Sequence, residues 1–135
     1  MDQSQISFYE NKLKYEIDSW DLFEAQKKNQ DIIVLDMRSS EAYTTEHIKG
    51  AISFPHSQIF DHTTKSLAKN KSYVVYCDGI GCNASTSGAF KMSRLGFDVK
   101  ELIGGLNWWK EHNYPTNKVN INLDESIQKN NCVCE

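Results

Sequence analysis

Two short stretches, "DIIVLD" (31–36) and "SYVVY" (72–76), constrain this chain more than anything else in it. Both have strand length, are rich in β-branched or aromatic residues, and are apolar at consecutive rather than alternate positions. A strand that is apolar on both faces needs cover on both, as in a parallel sheet flanked by helices. The intervening segments supply that cover. From Asp18 or Ser19 as cap, a helix runs through about Lys28, with Trp20 and Phe23 on its apolar face. "SSEAYTTEH" reads as a short helix and "KGAISFP" as a turn and a strand. Residues 57–70 are polar and carry no clear pattern, with one or two short helical turns expected. "NASTSGAFKMSRLGF" is a helix stopped by Gly96, "DVKELIGG" a strand, and "GLNWWKEHN" a last helix stopped by Asn113. Ahead of all these, Ile6, Tyr9 and Leu13 recur at helical spacing, which predicts an amphipathic helix over 5–14. The repeated β-α order predicts an α/β fold with a mostly parallel sheet.

A chain of 135 residues fits one core. The reading is a single domain over 1–115 that includes the N-terminal helix. Residues 116–135 are polar and rich in Asn, and are expected to be a loosely held tail. The net charge is −3 and no basic stripe occurs, which argues against nucleic acid as a partner. The longest apolar runs are too short to cross a bilayer. The first fourteen residues lack the charged start and apolar middle of a signal peptide. A cytoplasmic, reducing location is therefore expected, with no membrane partner. There, four cysteines read as reactive thiols or metal ligands rather than a disulfide framework.

Cys77 follows "YVVY" directly, at the carboxyl end of a strand, where open parallel sheets bind ligands. The next helix begins near Asn83 or Ala84, and its first N–H groups lack internal partners and carry roughly half a positive charge. Gly79 and Gly81 allow the loop to curl over that helix start. Such a cradle stabilises an anion, whether a thiolate, a persulfide or a bound oxyanion. A thiol in this setting has its pKa lowered from about 8.5 into the range of about 3.5–7.5, at about 1.4 kcal/mol per unit. Cys77 is the candidate nucleophile, held in a loop of Asp78, Gly79, Ile80, Gly81, Cys82 and Asn83. Cys82 has a plainer reading, as a loop residue near the helix start.

These residues resemble a known family. "VVYC", a tight loop, a small-residue helix and "LGFDVKELIGGLNWWKEHNYP" are similar to the second half of a rhodanese-like domain. "VLDMRSSEAYTTEHIKGAISFP" is similar to the first half, through Asp36, Arg38, Glu41, His47, Ile48, Gly50, Ala51 and Pro55. The likeness runs from about Tyr15 to Pro115. It implies a five-stranded, mostly parallel sheet with helices on both faces. It also implies that Cys77 carries sulfane sulfur as a persulfide, taken from a donor such as thiosulfate or mercaptopyruvate. The acceptor would be cyanide or a thiol, including a protein thiol, and no cofactor or metal is implied. The loop departs from the usual sulfurtransferase pattern, in which an arginine and a serine close it. Cys82 and Asn83 stand there instead, as in a subgroup with a Cys-x-Gly-Pro-x-Cys-Asn-Gly loop, although Ile80 replaces its proline and Ala84 its second glycine. Without that arginine, and with Asp78 beside the site, a doubly charged donor is disfavoured. A phosphatase is disfavoured too, since phosphoryl transfer needs a bidentate guanidinium.

Other residues carry weaker signals. Asp36 either accepts N–H groups of the loop or caps the helix at 39–45. Arg38 either lends charge to the site or, as the favoured reading, pairs with Asp36 or Glu41. His47 reads as a structural tie to backbone, Trp109 as core and Trp108 as exposed. Gly104 and Gly105 read as a turn at the mouth of the site. Cys132 and Cys134, one residue apart, would relay sulfur, bind soft metal, form a disulfide or stand as incidental thiols. Two other functions compete with sulfur transfer: a redox protein in which Cys82 resolves an oxidised Cys77, and a binding module without turnover.

Overall fold

The computed structural model describes residues 1–119. The two apolar runs become β2 (Ile32–Asp36) and β5 (Ser72–Tyr76), which pair in parallel from Ile32↔Ser72 to Asp36↔Tyr76. They are the inner strands of a five-stranded sheet. β4 (Ile52–Ser53) lies outside β2, and β6 (Asp98–Leu102) lies on the other side of β5. The fifth strand is β1 (Glu16–Ile17), paired in parallel with β6 through Glu16↔Glu101 and Ile17↔Leu102. The order is β1-β6-β5-β2-β4, and every pairing is parallel.

Successive side chains of the inner strands enter two separate cores, as strand alternation requires. Leu35, Met37, Tyr73, Val75 and Cys77 pack with Met92 of α4 (Ala84–Arg94). Val34, Val74 and Tyr76 pack on the other face with Leu22 of α2 (Ser19–Lys27), and with Leu106 and Trp109 of α5 (Gly105–Glu111). Both faces are thus covered, as the consecutive apolar residues demand. The left-handed Gly96 (φ +93°) and Asn113 (φ +59°) follow α4 and α5 at the expected stops. A 3₁₀ turn at His56–Gln58 overlaps the start of the 57–70 segment, where one or two short helical turns are expected.

Three expectations need correction, and one strand was missed. Asp18 does cap α2 by accepting from the Asp21 amide, and Phe23 packs half-buried against the core as expected, but Leu22 and Ala25 are the buried apolar residues of the helix and Trp20 is 59 % exposed. The first helix, α1 (Gln3–Tyr15), forms but buries none of its side chains, and Leu13 is 83 % exposed. β1 was not anticipated, because two residues carry no readable periodicity. The chain beyond Pro115 is not loose at its start. β7 (Thr116–Lys118) pairs antiparallel with β3 (Glu46–Ile48), which follows α3 (Ser40–Thr45). Glu46 secures this pair: Thr116 Oγ1 donates to it at 2.6 Å and Lys110 Nζ bridges to it at 2.8 Å. Burial pushes the Glu46 pKa up, but the hydrogen bonds of Lys110 and Thr116, and the charges of Lys110 and Lys118, outweigh it and hold the carboxyl below its ordinary range. Trp109 is fully buried and Trp108 half exposed, as expected. Cys132 and Cys134 lie outside the described residues.

Candidate active site

β5 ends at Tyr76 and α4 starts at Ala84, so the loop between them, Cys77 to Asn83, stands at the carboxyl edge of the sheet. Its start is pinned to α5. Leu106 N donates to the Cys77 carbonyl at 2.9 Å, and Asn107 N donates to the Asp78 carbonyl at 2.8 Å. Gly105 makes that contact possible: a Cβ there would collide with the Cys77 carbonyl and lie 2.9 Å from backbone atoms of Asp78 and Gly79. Gly104 and Gly105 both have positive φ and do form the expected turn at the mouth. Within the loop, Gly81 takes the left-handed conformation at φ +98°. Gly79 serves by close approach instead, since a Cβ there would lie 2.9 Å from Asn107 Nδ2. Asn83 precedes α4 without capping it by a side-chain hydrogen bond.

Cys82 is not merely a loop residue. Its sulfur is bonded to that of Cys77, so the two thiols form a disulfide across the loop. Cys77 is 1 % exposed, while Cys82 is half-buried. Ile80, which stands where the resembling subgroup has proline, is 93 % exposed at the loop tip.

Behind the loop lies a buried charged network. Arg38, 2 % exposed, donates from Nε and Nη2 to the Asp36 carboxylate at 2.7–3.2 Å, and from Nη1 to Asp78 Oδ1 at 3.1 Å. Its Nη2 also donates to the Glu46 carbonyl. Burial alone would lower the Arg38 pKa; the hydrogen bonds and charge of Asp36, helped by Tyr76 and Asp78, reverse this and hold the guanidinium charged. Tyr76 donates to Asp36 Oδ2 at 2.7 Å and accepts from the Ile48 amide at 3.0 Å. Burial, then the charge and hydrogen bond of Asp36, raise its pKa, so the hydroxyl stays protonated. Asp36 accepts from the Arg38 amide and guanidinium and from Tyr76, while the cap of α3, one of the two tasks expected of Asp36, falls to Ser39. Arg38 pairs with Asp36 as favoured, but its second partner is Asp78 rather than Glu41. His47 is a structural tie, with Nδ1 2.8 Å from the Tyr43 carbonyl and its ring stacked on Tyr43.

In front of the loop a cleft of about 470 Å³ opens, lined by both cysteines, Ile80, Gly104 and Ile103. It contains residues that the sequence reading missed. Glu101 faces it and accepts from Ser85 Oγ and Thr86 Oγ1, each at 2.7 Å. Glu16 lines the same cleft and is paired with Lys12 at 2.6 Å. Glu101 carried a signal, being a carboxylate near the end of an expected strand; Glu16 carried none. One Asp78 carboxylate oxygen and the two sulfurs lie within 4.8 Å of one another. Once reduced they would offer three metal ligands, fewer than a closed structural site uses.

Comparison with known proteins agrees with this geometry. A family model described as a rhodanese-like domain matches residues 19–112. The thiosulfate sulfurtransferase GlpE of Coxiella burnetii is 34 % identical over 108 residues, covering 78 % of this chain and 92 % of that protein. The BH2092 protein of Bacillus halodurans superposes with a TM-score of 0.81 at 39 % identity, covering 93 % of this chain and 96 % of that one. A full-length protein of Lactobacillus plantarum superposes with a TM-score of 0.77 at 27 % identity, covering 88 % and 100 %.

Proposed function

This chain belongs to the rhodanese-like domain family, and on that premise we propose that it is a sulfurtransferase carrying sulfane sulfur on Cys77. The placement of Cys77 carries the reading. It stands at the end of an inner strand, on an open cleft, in a glycine-bent loop that leads into a helix start with no side-chain cap. A thiolate or persulfide at that point gains from the helix dipole and the first-turn amides. The Cys77 thiolate attacks the outer sulfur of a donor, the donor leaves with the electron pair of its broken bond, and a Cys77 persulfide results.

The cleft favours a donor of low charge. Arg38 is engaged by Asp36 and Asp78 behind the loop, and the cleft itself presents Glu16 and Glu101. A dianion such as thiosulfate meets like charge there, whereas a singly charged donor such as mercaptopyruvate meets less of it. Mass spectrometry tests the proposal. The reduced protein, incubated with thiosulfate or mercaptopyruvate, is expected to gain one sulfur atom, and Cys77→Ser none. Failure of reduced Cys77 to take sulfur from any donor would overturn it.

The Cys77–Cys82 bond favours a second step. Cys82 attacks Cys77 Sγ of the persulfide, the outer sulfur leaves as hydrosulfide, and the disulfide closes. The two electrons that reduce sulfane sulfur to sulfide come from the two cysteines. The disulfide is then the end of a turnover, and a reductant must reopen it before Cys77 can react again.

A further inference from the structure

The Cys77–Cys82 pair has a neighbour that sulfur transfer does not use. One carboxylate oxygen of Asp78 lies within 4.8 Å of both sulfurs. The Asp78 side chain is 16 % exposed, and its two oxygens differ in their surroundings. Oδ1 accepts from Arg38 Nη1 at 3.1 Å. Oδ2 is buried and accepts no hydrogen bond among the described residues. A buried carboxylate oxygen without a partner costs free energy and is uncommon in folded proteins. Once a dithiol reductant opens the disulfide, the two sulfurs become donors beside that carboxylate.

The donor set selects the ion. Thiolates favour thiophilic ions such as Zn²⁺, whereas Mg²⁺ and Ca²⁺ take oxygen ligands. Tetrahedral zinc bonds of about 2.3 Å to sulfur and about 2.1 Å to oxygen put the ligand atoms roughly 3.5–3.8 Å apart. The span of 4.8 Å accommodates that spacing once reduction has released the sulfurs from each other. Charge fits as well. Two thiolates and a carboxylate carry three negative charges, Arg38 offsets one of them and a divalent ion the other two. Arg38 also holds the carboxylate from behind, as an outer-shell partner does at metal sites. Glu16 and Glu101 line the same cleft as both cysteines, and their charges attract a cation toward it. Three protein ligands leave the fourth position to the cleft.

We propose that the reduced loop binds a thiophilic divalent cation, Zn²⁺ foremost, through Cys77 Sγ, Cys82 Sγ and an Asp78 carboxylate oxygen. The two thiols give up their protons to solvent as the two sulfur–zinc bonds form, and no electron changes hands. With both sulfurs held, the disulfide cannot close, so the ion and the disulfide exclude each other. The site requires only the reduced pair and does not depend on whether Cys77 carries sulfur.

Cadmium serves as the probe, because its bonds to thiolates absorb in the ultraviolet. The full chain carrying Cys132→Ser and Cys134→Ser keeps the loop thiols as its only cysteines. It is reduced with a phosphine, freed of it and titrated with Cd²⁺ under argon. One equivalent is expected to bind with a thiolate-to-metal charge-transfer band, and the disulfide form of the same protein to show none. Asp78→Asn is expected to weaken binding by about ten-fold or more, and Cys82→Ser by more still, since even an outer-shell partner is worth about 10–100-fold. Zn²⁺ at about ten times its Kd is expected to slow closure of the loop disulfide by glutathione disulfide about ten-fold, because only the metal-free fraction reacts. A chelator should restore the rate. No band in the reduced protein, an equal band in the disulfide form, unchanged affinity in Asp78→Asn, or closure at one rate with and without Zn²⁺ would overturn the proposal. Neither readout involves a sulfur donor. A protein that takes sulfur on Cys77 but binds no Cd²⁺ refutes the site alone; one that binds Cd²⁺ but takes no sulfur refutes the transfer reading alone.

Discussion

Behind the Cys77–Asn83 loop, one buried guanidinium serves the Asp36 and Asp78 carboxylates and the Glu46 carbonyl. In front of it, an open cleft presents Glu101 and Glu16, with Lys12 drawn onto Glu16. The guanidinium nearest the cysteine thus lies behind the loop rather than on the cleft. In the usual sulfurtransferase loop an arginine closes the loop itself, whereas here the nearby arginine holds the loop from behind. The difference separates two features that a single cation often combines: a buried network that ties Arg38 to Asp78 of the loop, and an acidic cleft that, on the proposed reading, selects the donor.

Removing the centre of the rear network should have the largest effect. Arg38→Ala leaves the Asp36 carboxylate buried without its cation, and breaking such a pair costs about 3–5 kcal/mol. Chemical denaturation measures this, and a loss below about 1 kcal/mol would mean that the network carries little stability. Arg38→Lys keeps the charge but loses the two-pronged grip on Asp36, so it should fall between wild type and alanine.

A change at the front should leave stability nearly untouched and alter selectivity. Glu101→Gln preserves an acceptor for Ser85 and Thr86 but removes one negative charge. A screened repulsion of this kind is worth about 0.5–1 kcal/mol, so kcat/KM for thiosulfate should rise roughly two- to five-fold and that for a singly charged donor by less. The gain should shrink as salt is added. An equal change for both donors would show that Glu101 does not discriminate by charge.

The smallest effect is expected at the edge of the rear network, where Glu46 holds β3 to β7. Its folded pKa is depressed, so its contribution is complete above its ordinary value of 4.5 and is lost as pH falls through the lower folded value. Melting temperatures of wild type and Glu46→Gln should therefore differ by a constant amount near neutrality and converge in acid. A gap that persists below the folded pKa would mean that the carboxylate charge is not what secures the pair.

The rear and front differed in how far the sequence exposed them. The inner strands and the placement of Cys77 were legible because consecutive apolar residues and a glycine-bent strand-to-helix turn are local signals. The Arg38–Asp78 contact joins positions 40 residues apart, and nothing local announces it. Asp36 was placed at the correct edge, but its side chain turns to Arg38 and Tyr76, a choice made by packing. β7 has the polar sequence "TNK", and its pairing rests on the backbone of β3 and on Glu46, a partner 70 residues away from Thr116. Cys82 lies five positions from Cys77, a spacing compatible with facing it or turning away. The turn at Gly81 and the short path from Gly79 to Cys82, whose amide donates to the Gly79 carbonyl at 3.2 Å, bring the sulfurs together.

On the proposed reading the cleft-side pair acts in sequence, with Cys77 taking the sulfur and Cys82 expelling it. That order is tested most directly by following reduced wild type and reduced Cys82→Ser by mass spectrometry after addition of one donor, with sulfide measured in parallel. Cys82→Ser is expected to retain one added sulfur on Cys77, while wild type passes on to the Cys77–Cys82 disulfide and releases one sulfide for each disulfide formed. A Cys82→Ser protein that takes no sulfur from any donor would contradict it.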